Sequence, residues 1–169
     1  MKIKQLISNF KTINIYELFD IVFSYDTVQN WIIGTIQNRI NDYGVTASLT
    51  KMQTNRSFTR KKKGAVYAYR TERIKKKKSD KWETVTLKDT GAFYDSWNIK
   101  RYKKSFSITA DDIKEEGEIF DNFSKLFRSK QNYIKEVFGL STNETNILLT
   151  KIILPDILNL IRKKIQKNG

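Results

Sequence analysis

Apolar residues recur at helical spacing at both ends of this chain and lose that spacing between Val45 and Ala110, which restricts the fold to helices flanking a non-helical middle. At the N-terminal end, Asn14 and Glu17 have capping-box spacing, and Tyr16, Phe19, Val22 and Phe23 follow at helical intervals, predicting a short helix at about 15–24. Asp26 is the expected cap of a second helix. Its stripe of Val28, Trp31, Ile32, Thr35, Ile36 and Ile40 runs to a stop at Tyr43-Gly44.

The middle consists of short segments rich in Thr, Val, Tyr and Trp separated by charged runs, which predicts an antiparallel sheet. GAVYAYRT (64–71), KWETVTLK (81–88), WNIKRY (97–102) and KSFSITA (104–110) are the expected strands, and the basic runs RKKK (60–63) and KKKK (75–78) fall where loops or flexible hairpin tips belong. Helical spacing returns at Ile119, Phe120, Phe123, Leu126 and Phe127, then at Tyr133, Ile134 and Val137, with Gly139 as the expected C-terminal cap. Ser141 and Glu144 form a second capping box before the apolar segment NILLTKIILPDILNLIRKKI. Pro155 inside that segment requires a kink or a restart, and Arg162, Lys163 and Lys164 suit a helix C-terminus. The expected class is α+β: N-terminal helices (1–44), a small antiparallel sheet with long basic hairpin loops (45–110) and C-terminal helices (111–169), in one domain spanning 1–169.

The chain has 169 residues with neither cysteine nor histidine, which removes disulfides, thiolate nucleophiles, the usual zinc sites and the commonest general base. No window approaches the ~18 consecutive apolar residues of a membrane span. The N-terminus MKIKQLISNF lacks the apolar run of a signal peptide, so synthesis in the cytoplasm and no membrane partner are expected.

Of the net charge of +14, nearly all sits in the middle: residues 51–104 hold 18 basic against 5 acidic side chains, whereas the two flanking segments are close to balanced. A block of that kind predicts contact with a polyanion or an acidic protein surface. Arg60, Lys61, Lys62, Lys63, Lys75, Lys76, Lys77 and Lys78 are the candidate contact residues. The acidic stretch DDIKEEGE (111–118) reads as a solvated turn and helix start. Its alternative role is a complementary surface for the lysines of another subunit, through Glu115 and Glu116. The C-terminal stripe of Ile147, Leu148, Ile152, Ile153, Leu158 and Ile161 is expected in the core.

One motif invites catalysis. Asp89-Thr90-Gly91-Ala92 has the letters of a retroviral-type aspartic protease loop, in which two carboxylates share a proton, and Val137-Phe138-Gly139 mimics that fold's second signature. The flanks resist, because Lys88 directly precedes Asp89, and a dyad needs a desolvated apolar strand there. Phe93 and Trp97, four residues apart, instead predict a helical turn anchored in the core. The structural reading is a strand with Val85 and Leu87 on one face, a turn at Gly91, and Asp89 or Thr90 as helix cap. No catalytic residue and no cofactor is expected.

The string VTLKDTGAFYDSW (85–97), followed by two strands and later by FGLS and an apolar helix, resembles the tailed-phage virion-morphogenesis and head-to-tail connector (neck, tail-completion) proteins. Leu87, Thr90, Gly91, Phe93 and Ser96 match that family's Leu-x-x-Thr-Gly-x-Leu-x-x-Ser pattern, with Trp97 replacing an aliphatic residue, and Gly139, Leu140 and Ser141 match its late element. The proline that often precedes the motif is missing, and basic insertions occupy 56–63 and 73–81. The resemblance implies a structural virion protein, made in the host cytoplasm and placed at the head–tail interface. It would assemble as a homomeric ring, six-fold or twelve-fold, around the DNA channel, against the portal, an adjacent neck ring or tail proteins. On this view the basic loops line the channel, touching genomic DNA without sequence preference, or grip the neighbouring ring. The alternative from the residues alone is a small basic protein that binds DNA without sequence preference.

Overall fold

The computed structural model describes residues 11–52, 69–77, 85–87, 91–102, 105–111, 113–114, 117–118 and 136–167. Helices lie at both ends and a small two-stranded antiparallel sheet lies in the middle, giving the expected α+β arrangement.

Helix α1 spans Ile15–Phe23. The Asn14 side chain accepts from the Tyr16 backbone N–H, and Glu17 takes a hydrogen bond from the Asn14 side-chain amide, so the expected pair meets through side chains rather than as a full capping box. Helix α2 spans Asp26–Tyr43. Its cap position is Tyr25, without a side-chain hydrogen bond, and Asp26 is instead the first helical residue, where its charge faces the positive end of the helix. Gly44 ends α2 as expected, in the left-handed conformation with its N–H on the Ile40 carbonyl.

The spacing of four along α2 places Val28, Ile32, Ile36 and Ile40 on one buried line. Around it pack Leu18 and Val22 of α1, Met52, Val85, Phe93, Trp97, Ile99, Val137, Phe138 and the C-terminal helix residues Leu148, Ile153 and Ile157. Each fully buried aliphatic side chain of this kind contributes about 1.5–3 kcal/mol relative to exposure.

In the middle, β1 (Asn98–Tyr102) pairs antiparallel with β2 (Ser105–Thr109). Ile99 stands opposite Ile108 and Tyr102 opposite Ser105, and Ile99 points into the core. Phe106 on β2 reaches Phe23 of α1 with ring centroids 5.1 Å apart, fixing the hairpin to the first helix. The acidic stretch departs from its expected turn and helix start: Ile113–Lys114 (β3) and Gly117–Glu118 (β4) form a second, minimal hairpin, while Glu115 and Glu116 lie outside the described residues.

The expected strand at 81–88 also differs where it is described. Val85 and Thr86 are both buried although adjacent, which the two faces of a half-buried strand cannot provide, and Leu87 turns away at φ 53°. The second basic run is helical as far as Lys77. Helix α3 covers Tyr69–Lys77, with Glu72 paired to Lys76 across one turn at 3.0 Å, in place of a strand end and a flexible tip. A short helix, α4, spans Ala92–Asp95.

At the C-terminal end, Ser141 and Glu144 complete a reciprocal capping box on α5 (Thr142–Ile147), as expected. The helix then widens into a π-helical segment, Leu148–Ile153, before α6 (Leu154–Lys167). Pro155 explains the widening. Inside an α-helix its missing N–H and its ring would disturb the Lys151 carbonyl, whereas here the Leu154 N–H bonds five residues back to Leu149 and Pro155 enters at the start of a new helix. The C-terminal stripe is core at Leu148 and Ile153 and partly buried at Ile152 and Ile161. Leu158 is a correction, 43 % exposed, and the buried position one residue earlier is Ile157.

The loop after α2 is held by a remote carboxylate. Val45 and Lys51 form an antiparallel bridge, and Glu136 Oε2 accepts from both the N–H and the hydroxyl of Ser48, at 3.1 and 2.6 Å. The Ser48 hydroxyl, aided by Thr46 and the Arg39 charge, holds the Glu136 carboxyl below its ordinary 4.5 against the opposing effect of burial. A lowered carboxyl contributes stability that is present above the unfolded-state value and is lost as pH falls through the folded one. The stability difference between the wild-type chain and Glu136→Gln should therefore be full well above pH 4.5 and shrink as pH falls below it in urea unfolding.

Candidate functional site

The Thr-Gly-x-Phe-x-x-Ser segment folds as a turn from which every matched residue that is described has a structural task. Gly91 has φ 98°, a conformation that side chains disfavour, and its carbonyl receives the N–H groups of Tyr94 and Asp95 to start α4. Gly91, not Asp89 or Thr90, occupies the cap position of that helix; Asp89 and Thr90 lie outside the described residues. Leu87 is half-buried just before the turn. The Ser96 hydroxyl donates to the Phe93 carbonyl at 2.8 Å and accepts from the Asp111 N–H at 2.9 Å, tying the turn to the chain leaving β2. Phe93 and Trp97 face the core edge-to-face, 5.6 Å apart.

The late Gly-Leu-Ser element meets that turn directly. The Phe138 ring lies 4.6 Å from Trp97 and 6.3 Å from Phe93, so segments separated by some forty residues share one aromatic cluster. Gly139 and Ser141 are then gathered by Arg39, the one basic residue of α2, whose side chain is almost wholly buried. Its Nη2 donates to the carbonyls of Val137 and Gly139, at 3.2 and 2.8 Å, and its Nη1 to Glu144, the capping-box carboxylate that also receives the Ser141 N–H at 2.7 Å. Burial pushes the Arg39 guanidinium below its ordinary range, and the Glu144 charge opposes that shift. Leu140 is half-buried beside the network. The Arg39 Nε and the Trp97 Nε1 are buried donors without a hydrogen-bond partner among the described residues.

The candidate basic residues divide. Arg60, Lys61, Lys62, Lys63 and Lys78 lie outside the described residues. Lys76 and Lys77 are exposed on α3, together with Arg73, whereas Lys75 is 8 % exposed and turned inward. Its Nζ donates to the Thr86 hydroxyl at 3.3 Å, and the Thr86 carbonyl takes the Tyr94 hydroxyl. The Tyr94 carbonyl in turn accepts from Gln37 of α2 at 2.8 Å. The basic helix is thus linked through Thr86 to the motif turn and through Tyr94 to the core helix. Lys75 therefore differs from the expected exposed contact: successive lysines on a helix point in different directions, and Lys75 is the one turned toward Thr86.

Arg39, Thr86 and Tyr94 were not among the residues expected to matter. A lone arginine at the helical phase of Ile32, Ile36 and Ile40 was the available signal for the first; the hydroxyls carried none. Among the described residues no group of three or more acidic side chains is arranged to hold a metal ion. Ala92–Asp95, directly after the Asp-Thr-Gly letters, and 136–138, at the Val137-Phe138-Gly139 letters, are helical.

Two stability tests follow from this geometry. Arg39→Met and Glu144→Gln should each cost about 3–5 kcal/mol in urea unfolding, and the double variant less than their sum, because each single change leaves a desolvated charge alone. Gly91→Ala should cost roughly 1–2 kcal/mol through backbone strain. Space is not limiting there, since the nearest atom to an added Cβ is Asp95 Oδ2 at an ordinary 3.8 Å.

No family model, no curated protein and no solved structure matches this chain.

Proposed function

We propose that the chain is a structural virion protein of a tailed bacteriophage, one subunit of a homomeric ring in the head-to-tail connector or tail-completion region around the DNA channel. The observation that carries the reading is the convergence of its two motif segments. Phe93 and Trp97 from one and Phe138 from the other pack together, with Gly139 and Ser141 held by Arg39 and Glu144. On this reading the residues that resemble the connector family maintain the subunit, and none performs chemistry.

A ring of identical subunits needs a heterologous interface, one face meeting a different face of the next copy. Leu149, Leu154 and Leu158 on the C-terminal helix are exposed apolar side chains suited to such a face. The portal, an adjacent neck ring or tail proteins are the partners, and the basic middle of the chain faces either the genomic DNA or an acidic neighbouring surface.

The test is a nonsense mutation in the gene within its phage, grown on a non-permissive host, with electron microscopy and protein gels of the lysate. Filled or leaking heads without tails are the expected result. Normal infectious particles would overturn the connector reading in favour of an accessory protein that binds DNA without sequence preference. Immature heads with uncleaved structural precursors would overturn it in favour of a protease acting through Asp89-Thr90-Gly91.

A further inference from the structure

We infer that Leu49 is a docking knob for a second copy of this chain, seated on the leucine row Leu149, Leu154 and Leu158 of that copy's C-terminal helix. This deepens the ring reading, and rests on it, by naming the two different faces that a heterologous contact needs.

Leu49 is unfavourable in two ways at once. Its backbone has φ 62°, the left-handed conformation that side chains disfavour, and its side chain is 67 % exposed. The turn accounts for the backbone. The Leu49 N–H bonds to the Thr46 carbonyl and the Thr46 N–H to the Thr50 carbonyl, so Leu49 is the left-handed residue that closes the loop, a position suited to glycine. A leucine there gains little from burial within its own chain. The loop is nevertheless held from a remote segment: the Ala47 N–H bonds to the Glu136 carbonyl at 2.7 Å, and the Glu136 carboxylate takes both the N–H and the hydroxyl of Ser48. A strained, exposed apolar side chain on a braced loop points to a contact made outside the subunit.

The receiving row is built by the π-helical segment. The Leu154 N–H bonds five residues back to Leu149, so these two side chains stand about one turn apart, and Leu158 follows one turn later on α6. In an unbroken α-helix Leu149 and Leu154 would point about 140° apart. All three are exposed. Leucines one turn apart leave a gap between them, and a single leucine fits such a gap. The exposed Ile15, Tyr16 and Ile21 of α1 form no row of this kind, because at about 100° per residue they point in three directions.

The occupant follows from charge. A chain with a net charge of +14 repels its copies, so a self-contact belongs where charge is sparse or balanced. Residues 44–50 carry no charged side chain, and 149–161 hold one of each sign, Lys151 and Asp156. Both patches are apolar and neutral, and each supplies what the other lacks, one knob and one row.

The measurement is sedimentation velocity of the full chain over a range of protein concentrations. The wild-type chain should associate as concentration rises, and Leu49→Asp and Leu154→Asp should each raise the apparent dissociation constant at least about tenfold. Leu158→Asp replaces Leu154→Asp if that variant does not fold. An equimolar mixture of the knob and row variants should form pairs and nothing larger, because each pair retains one intact knob and one intact row. Leu49→Asn should lose association with no fall in melting temperature, since asparagine tolerates the left-handed conformation. A wild-type chain that stays monomeric at every concentration would overturn the inference and assign Leu49 to a different protein. Association of either aspartate variant at wild-type strength, or a mixture that stays monomeric, would overturn it as well. A Leu49→Asn variant that melts at a lower temperature would also do so, by making Leu49 a structural residue. Self-association is read on the isolated chain and tail attachment on the phage, so failure of the contact and failure of the connector reading give different results.

Discussion

A buried guanidinium organises this molecule. Arg39 is buried beside the apolar line of α2, and removing an ion of that size from water costs several kcal/mol unless its donors are used. Val137, Gly139 and Glu144 use three of the possible hydrogen bonds, and in doing so they dictate where the chain re-enters the core after the long middle region. An apolar side chain at position 39 would tolerate many placements of that segment. The arginine accepts only a placement that presents two carbonyls and a carboxylate at once.

Much of the remaining structure is arranged around that re-entry. With Val137 and Phe138 drawn inward, Phe138 closes the aromatic cluster on Phe93 and Trp97, and Glu136 reaches back to Ser48 to hold the loop after α2. Glu144 serves twice, as the partner of Arg39 and as half of the capping box that starts the C-terminal helix. The π-helical segment then absorbs Pro155 without breaking the helical rod, so Leu148, Ile153 and Ile157 still face α1 and α2. Short-range chemistry and long-range packing meet at the same few residues.

The basic segment shows the opposite economy. Its described part is a surface helix, and Lys75 connects that helix to Thr86. In a run of like residues, what separates an anchor from a contact is the direction each side chain takes from the helix axis. Arg73, Lys76 and Lys77 are exposed, while Lys75 is committed to local packing.

The element boundaries that depend on neighbours in the chain were legible in the amino-acid order. Gly44 stops α2 because its left-handed conformation admits no longer side chain cheaply, Ser141 and Glu144 cap α5, Pro155 forces a change of helix, and Asn98–Tyr102 pairs with Ser105–Thr109, the next segment in the chain. Less legible were positions whose environment is supplied from far away. The alternation of VTL suggested a strand, but Val85 and Thr86 are both covered; the lysine run suggested a loop, but Tyr69–Lys77 is a helix. What the sequence by itself determined was the α+β order of elements, the caps at Gly44 and Ser141, and the concentration of positive charge in the middle. Only the tertiary structure decided that Arg39 is a core residue and that Lys75 points inward. A run of identical polar residues has no hydropathic phase, so the direction of each is set by the surface against which the helix docks.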